Sequence, residues 1–237
     1  MKKTIEVPAA GLVLGLETAT VLGGVALVSG SGELLGEITL RNHESHSERL
    51  LPALAWLLAT LGLSLRACAA VAVSEGPGSF TGLRAGIAAA KGLAFSLDLP
   101  LYGVPTLDAL AANATPGAGT VCAVFGARRG EVFRAYYRSG SSRPERLGPD
   151  RLLPLRSFAD ELPADCLVVG ELPDSFTAML PPGRAVRLAP TQLAHPRAAV
   201  IAALGGEVHA AARASQLTTL MPHYLRPWDT IAARAGT

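Results

Sequence analysis

The residues best equipped for chemistry gather in SEGPGSFTGLRAG, residues 74–86. A glycine-rich turn between a strand and a helix can present backbone N–H groups to an anion, and the helix dipole adds a favourable field. The spacing matches no standard phosphate cradle. Leu83 and Arg84 follow Gly82 where a P-loop needs Lys and then Ser or Thr, and Ser79, Phe80 and Thr81 interrupt GxGxxG after Gly76 and Gly78. An esterase elbow needs glycines two before and two after its serine, but Pro77 and Thr81 flank Ser79 there. The alternative is structural: Gly76 and Pro77 turn the chain, Ser79 or Thr81 caps a helix, and Arg84 lies on its surface. Glu17, at the end of an apolar run, has two readings as well. It is catalytic or positions a metal-bound nucleotide, or it accepts backbone N–H bonds in a turn.

Other chemistry-bearing residues are sparser. His43 and His46 stand three apart with no third ligand nearby, which favours solvated side chains over a metal pair. Cys68, Cys122 and Cys166 lie far apart without a CxxC, so neither a zinc site nor a disulfide framework is expected, and buried reduced thiols fit. Arg128 and Arg129 in GARRGEV read as a hairpin turn. No metal site and no catalytic residue is assigned.

The elements that must position these residues follow from pattern. Residues 12–17 read as a strand, 18–24 as a turn, and 25–29 and 33–40 as two further antiparallel strands. A helix is expected over 47–61, stopped by Gly62. A buried strand at 69–73 then leads through the glycine-rich turn into a helix over 81–97. Leu50, Leu51, Leu54, Trp56, Leu57, Leu58 and Leu61 wrap around most of the first helix. On the second, Gly82, Gly86 and Ala90 recur every four residues beside Ala85 and Ala89, a flat stripe that admits another backbone. YGVPT reads as a bend before a short helix through Ala112, and NATPGAGT at 113–120 as a linker. Beyond it the order of elements returns, with strands at TVCAVF and EVFRAYYRSG, a possible third near 144–149, a helix and the strand CLVVG. The expectation is an α/β chain of two related domains, 1–115 and 116–237, each a mixed sheet with antiparallel opening strands and flanking helices.

With 49% hydrophobic residues the chain can fill a sizeable core. Its net charge of +2 divides unevenly, and all fourteen basic residues after position 119 are arginines. They are spread along the segment, as on a solvated surface rather than a nucleic-acid patch. The start imitates a signal peptide, but Pro8, Glu17, Thr18 and Thr20 interrupt the apolar run, so neither a leader nor a membrane span is expected.

LGLETAT, GGVALV, HSERLLPAL, VAVSEGPGSFTGLRAGIAAAKGLAF, GVPTLDALA, ARRGEVFRAYY and the late PHYLR, in that order, resemble the bacterial TsaB (YeaZ) family. The likeness covers nearly all of residues 11–112 and is patchy afterwards. It implies an actin-like, sugar-kinase-like and Hsp70-like double domain. It also implies a cytoplasmic role in making N6-threonylcarbamoyladenosine on tRNA, as the supporting subunit of a TsaD homologue that carries the active site, with the ATPase TsaE joining. TsaD-like proteins carry HxxxH after a Gly-Val step, where this chain has Thr106 and Leu110, with Asp108 between them. Glu17 and Gly126 replace two aspartates usual in the family.

The resemblance gives the helices a purpose: they form a bundle with their equivalents in TsaD, or in a second copy when TsaD is absent. Leu50, Leu54, Trp56 and Leu57, with Gly82, Gly86, Ala89 and Ala90, are the expected partner-binding residues. Glu17, Thr18, Gly78, Ser79 and Thr81 are the expected nucleotide or anion contacts. No intrinsic cofactor is expected, with ATP or ADP at the partner interface, and tRNA is reached indirectly through the complex. Two other functions remain open: an ATPase or small-molecule kinase using the inter-domain cleft, and a tRNA-binding module with a continuous basic face.

Overall fold

Alternation along one strand decides the first sheet. In β1 (Leu12–Glu17), Leu12, Leu14 and Leu16 point to one face, while Val13, Gly15 and Glu17 point to the other. The computed structural model describes residues 11–41, 46–114, 117–140, 143–184 and 186–225. β2 (Leu22–Ser29) and β3 (Leu34–Arg41) continue antiparallel from β1, and β4 (Cys68–Gly76) and β5 (Leu101–Pro105) lie parallel on its other side, giving the order β3-β2-β1-β4-β5. YGVPT is therefore largely strand: Tyr102 and Val104 fill one face of β5 where a bend was expected.

Two helices cover the leucine face. α1 (His46–Leu61) sets Leu50, Leu54, Leu57 and Leu58 over β2 and β3, and α2 (Phe80–Leu97) adds Ile87, Ala90 and Ala94. The short helix α3 (Thr106–Ala111) follows β5 directly.

In the second unit, β6 (Thr120–Gly126) pairs antiparallel with β7 (Glu131–Arg138), and β8 (Glu145–Arg146) and β9 (Arg151–Pro154) both pair with β7. β10 (Leu167–Val169) and β11 (Arg187–Leu188) run parallel on the far side of β6. The order β11-β10-β6-β7-β8 repeats that of the first sheet, with β6 in the place of β1. Phe158 of α4 (Leu155–Glu161) stacks on Phe176 at 5.5 Å, and around them the buried Cys122, Cys166 and Val168 make a separate core. Asn113 ties its own segment down by donating to the carbonyls of Leu193 and His195 at 3.0 and 2.8 Å.

The expected boundary near residue 115 needs a correction at the far end of the chain. Compact unit one takes the described residues of Met1–Ala109 together with Pro196–Pro222, and unit two those of Leu110–His195 and His223–Thr237. The cause is α5 (Ala198–Ala210), which lays Ala198, Ile201 and Ala202 over Val13, Ala26, Ala72 and Tyr102. Gly15 permits this approach, because a Cβ there would strike the Ala198 carbonyl. Glu37 of β3 anchors the start of α5, accepting the Ala199 N–H at 2.9 Å and pairing with Arg197. Past α5, Ser215 and Gln216 satisfy the open edge of β5. Ser215 Oγ accepts the Leu101 N–H, Gln216 donates its N–H to the Leu101 carbonyl, and Gln216 Oε1 accepts the Gly103 N–H.

Candidate functional site

The glycine-rich stretch divides into strand, turn and helix. β4 runs through Gly76, so only Pro77 to Ser79 turn the chain. Gly76 has φ of 118°, open to glycine and costly for other residues. Ser79 caps α2: its Oγ accepts the Gly82 N–H at 3.2 Å, and its own N–H donates to the Ala19 carbonyl at 2.7 Å. Gly78 packs so closely on Ala19 that a Cβ there would overlap it. Arg84 stacks its guanidinium 3.8 Å above the Phe80 ring on the exposed side.

The five expected anion contacts do not share one environment. Glu17 and Thr18 are buried, Gly78 is half-buried, and Ser79 and Thr81 are exposed. Glu17 Oε1 accepts the Ala19 N–H at 2.6 Å, and among the described residues none meets hydrogen-bond geometry at Oε2 or at the Thr18 hydroxyl. Burial pushes the Glu17 carboxyl up to about 8, against the smaller opposing effects of the Ala19, Ser74 and Thr20 hydrogen bonds. The carboxyl is therefore largely neutral at pH 7, built into its turn. Thr106 and Leu110, at the positions of the HxxxH histidines, are fully buried in the protein's own packing.

The expected partner-binding residues divide by helix face, and most need correction. Leu50, Leu54 and Leu57 are buried against the first sheet, and Gly82, Gly86 and Ala90 are buried as well. Ala89 is half-buried, and Trp56 alone of the eight is exposed, at 63%. The reason is packing at home: Gly86 has no Cβ because the Thr18 side chain occupies that space. The small-residue stripe thus serves the contact between α2 and the β1–β2 turn.

A second stripe faces outward, of which Trp56 alone was among the expected partner-binding residues. Leu51, Ala55, Trp56 and Ala59 line the exposed side of α1, and Arg84, Ala88, Gly92 and Phe95 that of α2. Phe95 is 80% exposed and Leu51 48%. A Cβ at Gly92 would meet nothing within 4 Å, so this face is open as well as flat. Large apolar groups flanking small residues are the composition of a docking surface more than of a solvated one. The inward residues Leu83, Ile87 and Ala94 were the available signal: they fix the buried face of α2, and the stripe opposite them is the exposed one.

The remaining candidates resolve locally. All three cysteines are free and buried; burial raises Cys68 and Cys166 to about 11 and holds Cys122 well above the ordinary thiol range, so they are thiols rather than thiolates. Arg128 and Arg129 form the exposed tip between β6 and β7, with Arg129 at φ of 65°. His43 lies outside the described residues, and the placement of the His46 side chain is not described. Among the described residues, no group of three His, Cys, Asp or Glu side chains is placed to hold a metal ion, and no helix is long and apolar enough to cross a membrane.

Residues 33–160 match the family model described as TsaD: tRNA N6-adenosine threonylcarbamoyltransferase. The chain is 33% identical over 150 residues to the tRNA threonylcarbamoyladenosine biosynthesis protein TsaB of Bacillus subtilis, covering 63% of this chain and 65% of that one. It is 42% identical over 128 residues to the protein of the same name from Escherichia coli, covering 53% and 54%. The chain thus spans between about half and two thirds of the length of these curated relatives. Among solved structures, YeaZ from Pseudomonas aeruginosa superposes with a TM-score of 0.78 at 30% identity, covering 91% of this chain and all of that one. The repeated mixed sheets are those of the actin-like, sugar-kinase-like and Hsp70-like fold.

Proposed function

The chain belongs to the TsaB (YeaZ) family, and from that premise we propose that it is a supporting subunit in forming N6-threonylcarbamoyladenosine on tRNA. It docks a TsaD-type partner through the outer faces of α1 and α2. In the partner's absence a second copy takes the same face. TsaE and tRNA engage through the assembly, and ATP or ADP binds at the partner interface.

The observation that carries this reading is the outward platform of Leu51, Trp56, Ala88, Gly92 and Phe95 on two helices whose inner faces are already committed to the sheet. Such a face removes apolar area from water only by meeting another protein, at roughly 25 cal/mol per Å². A specific complex of ordinary size buries about 1,600 Å² in total.

Reconstituting tRNA modification from purified components tests the role. Activity is lost when this chain is omitted, restored when it is added, and not restored by Trp56→Asp. An undiminished rate without the chain would refute the supporting role.

A further inference from the structure

A short path of contacts joins the inside of the first sheet to the helix that carries the outward platform. Glu17 Oε1 accepts the Ala19 N–H at 2.6 Å, and the Ala19 carbonyl accepts the Ser79 N–H at 2.7 Å. Ser79 Oγ in turn accepts the Gly82 N–H in the first turn of α2. The Thr18 side chain presses on Gly86 one helical turn further along, and Gly78 presses on Ala19, so the turn and the helix meet without slack at either contact.

Resting on the docking reading above, we propose that Glu17 is a positioning residue that holds α2 in its docking geometry only while its carboxyl is neutral, so that partner affinity falls as pH rises. Glu17 is 1% exposed, and among the described residues none meets hydrogen-bond geometry at its Oε2. Among the described residues no cation stands beside the carboxyl, and the Ala19, Thr20 and Ser74 donors only partly offset the cost of burying a charge there. β2 places Gly24 opposite it, and β4 supplies the Ser74 hydroxyl. The charged and titratable groups on the surrounding elements are Glu37 and Arg41 on β3, Glu75 on β4, Arg84 and Lys91 on α2, and Glu207 and His209 on α5, with Arg197 capping its start. None of them offsets the burial of Glu17: Arg197 is paired with Glu37, and Arg84 stacks on Phe80. When the carboxyl gives its proton to solvent, the charged side chain gains by turning toward water. That movement breaks its bond to Ala19, and with it the position of the carbonyl that holds Ser79 and the cap of α2.

The test compares wild type with Glu17→Gln, which keeps an acceptor for Ala19 and cannot ionise. Titration calorimetry measures the affinity of each full-length chain for its TsaD-type partner at pH 7 and pH 9. Amide exchange at Ser79 and Gly82, corrected for intrinsic rate, is followed without partner. Wild-type affinity falls by about tenfold between the two pH values, as for loss of one proton, while E17Q stays level, and the two amides lose protection in wild type alone. Coincident pH profiles for wild type and E17Q would overturn the coupling. If E17Q fails to fold, unchanged Ser79 and Gly82 protection in wild type between pH 7 and 9 overturns it equally. Trp56→Asp separates the two ideas: wild-type affinity in that variant defeats the docking reading. Lost affinity there, beside coincident wild-type and E17Q profiles, defeats only the coupling.

Discussion

At the scale of single residues, Glu17 carries the strongest physical consequence. Its carboxyl is raised from an ordinary 4.5 to about 8 by burial, so the folded chain retains a proton that the unfolded chain surrenders. The stability this contributes is full below about pH 4.5 and is lost as pH rises toward 8. Glu17→Gln abolishes that slope. In urea titrations, E17Q gains on wild type by up to about 5 kcal/mol between those limits and holds level above them. Gly86 gives a second expectation, because a methyl there collides with the Thr18 side chain: Gly86→Ala loses about 1–3 kcal/mol of stability by the same measurement. Sequence placed Glu17 at the end of β1 and left its role open between a nucleotide contact and a turn acceptor. The bond to Ala19 realises the turn acceptor, and only the folded packing reveals how deeply the side chain is buried.

At the scale of elements, the strands and helices that frame the turn were readable from alternation and caps. β1 begins and ends at the expected residues, and α2 is capped by Ser79 and ends at Leu97, where Asp98 turns left-handed. Which face of α2 looks outward was not readable from the glycines. Small residues recur on both faces, Gly82, Gly86 and Ala90 on one and Ala88 and Gly92 on the other, and period alone does not say which is covered. β5 was missed because Gly103 and Pro105 are turn-forming types, whereas in the structure Gln216 supplies the edge partner that lets this short strand persist. On α1 the two faces separate by experiment. Leu57→Ala, truncating a side chain only 4% exposed, costs about 2–5 kcal/mol of stability in chemical denaturation. Trp56→Ala, on the exposed face, leaves stability within about 0.5 kcal/mol.

At the scale of the whole molecule, a duplicated strand order was legible because the second half repeats the spacing of strands, turn and helix. What escaped was the return of the chain: α5 is apolar on most sides, and nothing local tells it which sheet to cover. Gly15 and the anchor at Glu37 settle that from residues more than 150 positions away. A fragment ending near residue 115 therefore leaves Val13, Ala26, Ala72 and Tyr102 uncovered and does not fold by itself. Circular dichroism registers a cooperative transition only when residues 196–222 are supplied, fused or in trans. One affinity shows whether the outward face of α1 and α2 is the docking surface. Titration calorimetry compares wild type with the Trp56→Asp, Phe95→Asp double variant against a TsaD-type partner, with matched thermal unfolding of both chains. A docking role for this face requires a loss of at least a hundredfold, about 3 kcal/mol, at unchanged melting temperature. Unchanged affinity in the folded double variant would contradict it.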